Sequence, residues 1–437
     1  MIYDLRLNPR WLISMNPSAT QSQMVLEKHS VFIKDGRIAA IEPASSSLEA
    51  KHSFELPRHA LLPGYVNAHG HSAMSLLRGF ADDLPLMTWL NEHIWPAENK
   101  WVDADFVRAG SELALAEMIK CGTTTFADMY FYSDSCIQSA LKAGMRHASF
   151  TTVLDFPTNY AQSAQIAIDK IIALHDSYKA HDLIKIGFGP HAPYTLSDEP
   201  LKTIATLADQ LDTPVQIHLH ETAQEVAQSI EKYGCRPSQR LANLGFLTER
   251  VSCVHMTQIT DTDISLLQKT GASVVHCPES NLKLASGFCP VDKLLKAGVN
   301  LGLGTDGAAS NNDLNIQGEM KTAALLAKAV AQDASALKAK EALYMATLGG
   351  AKALGLDEVT GSLEVGKWAD MQAVDLSNLA QLPLFDSISQ LVYTDSSRAT
   401  THLWVAGKQL LNNGELLTLD EEKIRYTAAL WAKRIAT

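Results

Sequence analysis

The sequence predicts an α/β chain: a (β/α)8 TIM-like barrel over residues 61–360, with a small β-sandwich domain built from both chain ends, 1–60 and 361–437. Three observations carry this. Eight short apolar runs alternate with longer stretches of helical periodicity, the order of a parallel-strand barrel. The segments before and after this alternation are both strand-rich. Finally, residues able to bind a metal or move a proton stand at the C-terminal ends of the runs, and in a barrel those ends share one rim.

The first 60 residues read as β structure. Val31, Phe32 and Ile33 lead to Asp35-Gly36, a hairpin turn signal, and the chain returns through Arg37 to Ile41. The barrel runs are expected at 61–68, 123–129, 147–154, 184–191, 214–220, 251–256, 273–278 and 300–306, most of them rich in Val, Ile, Thr or Phe. Helices are expected between them, for example at 103–120, 161–179, 198–211 and 222–233. Strand-like character resumes over 361–412, and a helix over 421–435 closes the chain. An open doubly wound sheet is the rival architecture. No Gly-x-Gly-x-x-Gly opens a helix after the first strand, so no dinucleotide fingerprint supports it.

Composition narrows the class. Apolar residues make up 46% of the 437 and charged residues 19%, a globular balance. The formal charge of -11 carries no long run of one sign, which argues against nucleic acid or an anionic membrane as main partner. The six cysteines, at 121, 136, 235, 253, 277 and 289, form no Cys-x-x-Cys pair. Free buried thiols and a cytoplasmic location are expected. Residues 1–12 carry Asp4, Arg6 and Arg10, unlike a secretory leader, and no stretch is long and apolar enough to span a bilayer.

His69 and His71 end the first barrel run. In a strand, residues i and i+2 point the same way, so two imidazoles leave one face side by side. That geometry suits one divalent ion. A catalytic zinc takes about three nitrogen or oxygen ligands and keeps a position for water. A third ligand is expected from Gln216-Ile-His-Leu-His-Glu221, where His218 and His220 are again i and i+2 and spacing alone does not choose between them. Asp306, in Gly302-Leu-Gly-Thr-Asp-Gly307, ends the last run; its carboxylate suits a metal or the water beside it, and by itself would suit a turn or helix cap. Glu221 follows the histidine pair at a helix start. There it can carry protons, or simply favour the helix terminus. His255 ends the sixth run and can orient or deprotonate a water.

These residues carry a resemblance. Pro63-Gly-Tyr-Val-Asn-Ala-His-Gly-His71, His218-Leu-His-Glu221, His255, Gly304-Thr-Asp306 and Gly361-Ser-Leu-Glu-Val-Gly-Lys-Trp-Ala-Asp370 resemble the amidohydrolase superfamily across the whole chain. The nearest branch is that of the 5′-methylthioadenosine/S-adenosylhomocysteine deaminases; triazine hydrolases and guanine deaminases are neighbours. The resemblance implies one divalent metal, zinc, on His69, His71, His218 and Asp306. It assigns Glu221 the proton shuttle, places His255 beside the water, and gives His220 no ligand role. Two-metal members use a carboxylated lysine at the end of strand four, where this chain has Gly189-Pro-His191 with Lys185 earlier, so a single-metal site is implied. By matched position, Trp89 and Glu98 would cover the nucleoside and accept its ribose hydroxyls, and His191, Glu221 and Ser310 would also contact the substrate.

The implied reaction is hydrolytic deamination of an adenine nucleoside to the inosine-type product and ammonia. An S-adenosylhomocysteine tail would want a cation, yet the only arginine near strand three, Arg146, precedes the strand, and 155–160 is apolar and acidic. 5′-Methylthioadenosine is therefore the expected preference over S-adenosylhomocysteine or adenosine. A different heterocycle (guanine or a triazine) and a non-catalytic barrel scaffold are the alternatives, and a homo-oligomer is left open.

Overall fold

The computed structural model describes residues 2–18, 20, 24–396 and 398–436; positions 1, 19, 21–23, 397 and 437, all within the chain ends expected to form the β domain, lie outside the described residues. Eight parallel strands form the central sheet: β1 (Tyr65–Asn67), β2 (Thr123–Tyr130), β3 (Arg146–Val153), β4 (Ile184–Pro190), β5 (Val215–Leu219), β6 (Val251–His255), β7 (Ser273–His276) and β8 (Leu301–Leu303). Each pairs with its neighbour in sequence order. The ring closes between β8 and β1, where Ala68 N donates to Leu303 O at 2.8 Å and Gly70 bridges Asp306 in parallel register. Each expected run contributes one barrel strand.

The first run differs in its start. Residues 61–63 complete a long strand, Ala50–Pro63, that belongs to the other sheet, and the chain changes sheets at Gly64. A Cβ on Gly64 would stand 2.1 Å from the Thr124 Cγ2, so only glycine lets the chain pass there. A continuous apolar run carries no mark of such a change, because both sheets bury it.

Helices begin where capping side chains sit. Asp103 accepts from Phe106 N and starts Ala104–Lys120; Thr222 accepts from Glu225 N and starts Ala223–Tyr233. The helix expected from 161 starts at Ala164 because Ser163 caps it. The final helix, Glu421–Ile435, packs Trp431 edge-on against Phe106 with centroids 5.3 Å apart.

The chain ends form a nine-stranded mixed sheet in which Tyr3–Ile13 runs parallel to Ala50–Pro63, and Met371–Asp375 pairs antiparallel with the same long strand. The expected hairpin joins His29–Lys34 to Arg37–Pro43 through Asp35 (φ 50) and Gly36 (φ 76), the left-handed pair that a tight two-residue turn needs. Arg37 lies over the Trp368 ring and bridges that residue's backbone, so the sheet folds back on itself around Leu7, Val31, Leu61, Met371 and Trp404. Among the described residues no helix is long and apolar enough to cross a membrane, and the six cysteines are free.

Arg146 and Asp370 join the two sheets. Arg146 Nε donates to Asp370 Oδ2 at 2.7 Å, and Ala406 N donates to Asp370 Oδ1 at 2.7 Å. Both side chains are fully buried. Arg146 opens β3 at the end of the barrel away from the rim, so its charge serves the interface between sheets. Removing one partner strands a buried charge. Asp370→Ala should lower stability by about 3–5 kcal/mol in denaturant unfolding, and Arg146→Met with Asp370→Leu should recover most of it. A loss below about 1 kcal/mol for Asp370→Ala would remove the pair from this role.

Candidate metal centre and its cavity

Barrel closure brings the ends of β1 and β8 together. Asn67 Oδ1 accepts from Thr305 N at 3.0 Å, its Nδ2 donates to Thr305 Oγ1 at 2.8 Å, and Asp306 N donates to His69 O at 3.1 Å. Gly304 permits this approach, since a Cβ there would lie 2.8 Å from the backbone and Cβ of His69. Asp306 (φ 63), His220 (φ 54) and His255 (φ 75) all adopt left-handed backbone, strain that the surrounding closure holds in place.

The ligand atoms of His69, His71, His218 and Asp306 lie within 4.8 Å of one another. His218 Nε2 is 3.1 Å from His69 Nε2; Asp306 Oδ1 is 3.5 Å from His69 Nε2 and 3.1 Å from His71 Nε2. Four ligands around a zinc at about 2.0–2.1 Å stand roughly 3.3 Å apart, so the cluster has the right size. The outward nitrogens fix the tautomers. His69 Nδ1 donates to Gln216 Oε1, His71 Nδ1 to Met129 O and His218 Nδ1 to His191 O, each at 2.7 Å. All three Nε2 atoms therefore face inward, that of His71 toward the Asp306 carboxylate, in position to coordinate. Asp306 Oδ2 accepts from Ser280 Oγ at 2.6 Å and Ser310 Oγ at 3.1 Å.

His220 has no room for a metal. Its Nδ1 faces Gln258 O at 3.0 Å and its Nε2 accepts from Ser238 N at 3.1 Å, away from the cluster. The choice that spacing left open thus falls on His218. Lys185 Nζ reaches Asp212 O at the opposite end of the barrel, so it bridges no second ion.

Burial pushes His69 and His218 below the ordinary histidine range. His71 goes the other way: burial lowers it, but the adjoining Asp306 carboxylate outweighs this and holds it up at about 9. Asp306, which burial alone would raise, is held well below the carboxylate range by His69 and His71. A proton thus sits where a cation belongs.

His71, His218 and Asp306 of the cluster line a cavity of about 240 Å3, with His69 buried beneath them. Glu221 and His255 line it beside the cluster. Burial, reinforced by Asp306, pushes the Glu221 carboxyl up to about 8, so it can hold a proton near neutral pH. His255 Nδ1 donates to Asn281 Oδ1 at 2.8 Å, which leaves Nε2 bare, 3.7 Å from Glu221 Oε2. Trp89, Glu98, His191 and Ser310 all line the cavity. Trp89 stands on a π-helical turn, Trp89–Ile94, inside a longer helical stretch. Glu98 Oε1 accepts from Tyr130 OH at 2.6 Å. Ser310 touches the cavity but its hydroxyl also serves Asp306. Phe131, Tyr132, Phe156 and Tyr160 form the outer wall, and among the described residues no lysine or arginine lines it.

Sequence reasoning missed Gln216, Asn281, Ser280, Tyr130 and Glu225. Gln216 was accessible, because it stands at i−2 from His218 and so shares its inward face. Glu225, whose carboxylate accepts from His220 N (3.0 Å) and Glu221 N (2.7 Å), reads in sequence as an ordinary first-turn acid.

A barrel whose rim gathers three histidines and an aspartate around one ion position is the architecture of a metal-dependent hydrolase. The chain belongs to the amidohydrolase family, whose sequence model matches residues 60–410. It is 52% identical over 435 residues to a 5-methylthioadenosine/S-adenosylhomocysteine deaminase of Saccharophagus degradans, covering 99% of this chain and 97% of that one. The crystal structure of an adenosine deaminase from Xanthomonas campestris with bound zinc superposes with a TM-score of 0.97 at 46% identity over 99% of both chains. Atrazine chlorohydrolase from Arthrobacter aurescens shares the fold, with a TM-score of 0.92 at 23% identity over 98% of this chain and 100% of that one.

A cation and a proton compete for His71 Nε2, so binding of the ion releases that proton to the solvent. Titration of metal-free protein with zinc should show one equivalent bound, with affinity falling about tenfold for each pH unit below about 9. Two tight equivalents would contradict the single-ion site, and an affinity flat between pH 6 and 9 would contradict proton competition at His71.

Proposed function

We propose that this chain hydrolytically deaminates adenine nucleosides, with 5′-methylthioadenosine preferred over S-adenosylhomocysteine. The observation that carries the reading is the inward convergence of three Nε2 atoms and Asp306 beside Glu221, in one aromatic-walled cavity. A divalent ion held by His69, His71, His218 and Asp306 would acidify a water at that point. The chain's own groups supply the proton transfers. Glu221, whose carboxyl holds a proton near neutral pH, gives it to the ring nitrogen beside C6. That lets the ring take up the electron pair as the water oxygen bonds to C6. His255 Nε2, bare because Nδ1 is committed to Asn281, accepts a proton from the water together with Asp306. The C6–N bond then breaks as the amino group takes up the proton first removed from the water and leaves as ammonia; the C6 hydroxyl returns its proton to Glu221, and the ring keeps a carbonyl.

Glu98, with one oxygen held by Tyr130, has the other available for ribose hydroxyls, and Trp89 covers the nucleoside. His191 and Ser310 border the purine. A zwitterionic tail entering between Phe156 and Tyr160 would find no lysine or arginine among the described residues lining the cavity, and Lys170, which packs on Tyr160, is engaged by that residue's ring and carbonyl, while a methylthio group would bury apolar surface there. The free thiols accord with a cytoplasmic enzyme.

Two measurements test the assignment. Glu221→Gln should retain the metal and lose about 10²–10⁴ in kcat for 5′-methylthioadenosine; turnover near the wild-type rate would remove Glu221 from the proton path. In a panel of 5′-methylthioadenosine, S-adenosylhomocysteine, adenosine, guanine and atrazine, kcat/KM should be highest for the first. A higher value for S-adenosylhomocysteine would defeat the tail argument, and turnover confined to guanine or atrazine would defeat the nucleoside assignment.

A further inference from the structure

Glu319 is a fully buried carboxyl outside the catalytic cavity. It stands in the first turn of the helix Ile316–Ala331. The charged groups around it, Glu279 and Asp313, carry its own sign, so no ion pair explains its burial. Its two oxygens go to two different loops. Oε2 accepts from Glu279 N at 3.1 Å, in the segment after β7. Oε1 accepts from the Asn311 amide, in the segment after β8.

Each contact is one step from the metal centre. Glu279 N belongs to the first turn of the short helix Pro278–Lys283, whose end would otherwise leave that donor unsatisfied. The next two residues are Ser280, which donates to Asp306 Oδ2 at 2.6 Å, and Asn281, which accepts from His255 Nδ1 at 2.8 Å. On the other side, the same Asn311 Nδ2 donates to Thr305 O at 2.8 Å, immediately before Asp306. Thr322, one turn further along the helix, donates to Glu279 Oε1 at 2.7 Å and reinforces the first contact.

We propose that Glu319 is a positioning residue that clamps the β7 and β8 loops together and thereby sets the orientation of Asp306 and His255. Both of its partners are N–H donors, and these two hydrogen bonds favour the carboxylate against the burial and the like charge of Glu279 that push its pKa up, so the position calls for two acceptors on one rigid group. Glutamine supplies one acceptor and turns an NH2 toward the second donor, which breaks one loop's tether while keeping volume. The inference rests on the metal and deaminase reading above and adds to it the element that holds the ligand geometry.

The test compares wild type, Glu319→Gln and Asn311→Ala, measuring zinc affinity by chelator competition, thermal unfolding and deamination of 5′-methylthioadenosine. Glu319→Gln should weaken zinc binding about 10–100-fold and lower kcat by a similar factor, with KM little changed because the cavity wall is untouched. Asn311→Ala should shift zinc affinity in the same direction, and the double variant should be weakened by less than the product of the two singles. A purely structural role would lower the unfolding temperature and leave the folded protein's zinc affinity and kcat within about twofold of wild type; that result in both variants would overturn the proposal. If Glu319→Gln does not fold, the zinc affinity of Asn311→Ala decides. Failure of the wild-type protein to bind zinc would instead overturn the metal reading itself.

Discussion

Closure of the barrel between its first and last strands is the constraint on which the rest depends. The hydrogen bonds from Asp306 N to His69 O and between Asn67 and Thr305 join segments far apart in sequence. They bring His69, His71 and Asp306 to one point before any ion is considered. Everything else at the rim elaborates this: β5 adds His218 from across the barrel, and Gln216, Met129 and His191 turn the imidazoles inward through their outward nitrogens. In this dry interior the Asp306 carboxylate draws positive charge to the point where the imidazoles meet, and a divalent cation would supply it.

The same burial that strains the cluster equips it for proton transfer. Glu221 is pushed toward its neutral form by desolvation and by Asp306, while His255 is fixed with Nε2 unprotonated by its bond to Asn281. One group is disposed to give a proton and the other to take one, side by side, a pairing that suits the proposed hydrolysis of an amino-heterocycle. In the proposed function, the aromatic outer wall would favour an uncharged substrate tail. Arg146, the one arginine near the third strand, is committed to Asp370 at the far end of the barrel and cannot meet a substrate carboxylate.

Much of this was legible in the chain because strand ends carry the chemistry. Alternation located each barrel strand, and polar residues at the ends of apolar runs marked the rim. What stayed hidden had physical causes. Gly64 divides a run that is buried on both sides of the break, so hydropathy does not change there. His218 and His220 are equivalent by period, and only the left-handed backbone at His220 turns the second ring away toward Ser238. Asn281 and Glu319 act across loops whose contacts depend on tertiary closure. Ser310, expected at the substrate, also donates to Asp306, a partnership that no local pattern encodes.

The most direct measurement is zinc-edge anomalous diffraction from crystals of the zinc-loaded protein. A single anomalous peak is expected at about 2.0–2.2 Å from Nε2 of His69, His71 and His218 and from one Asp306 oxygen. A peak coordinated by His220 or by a lysine, or one that leaves out Asp306, would contradict that coordination.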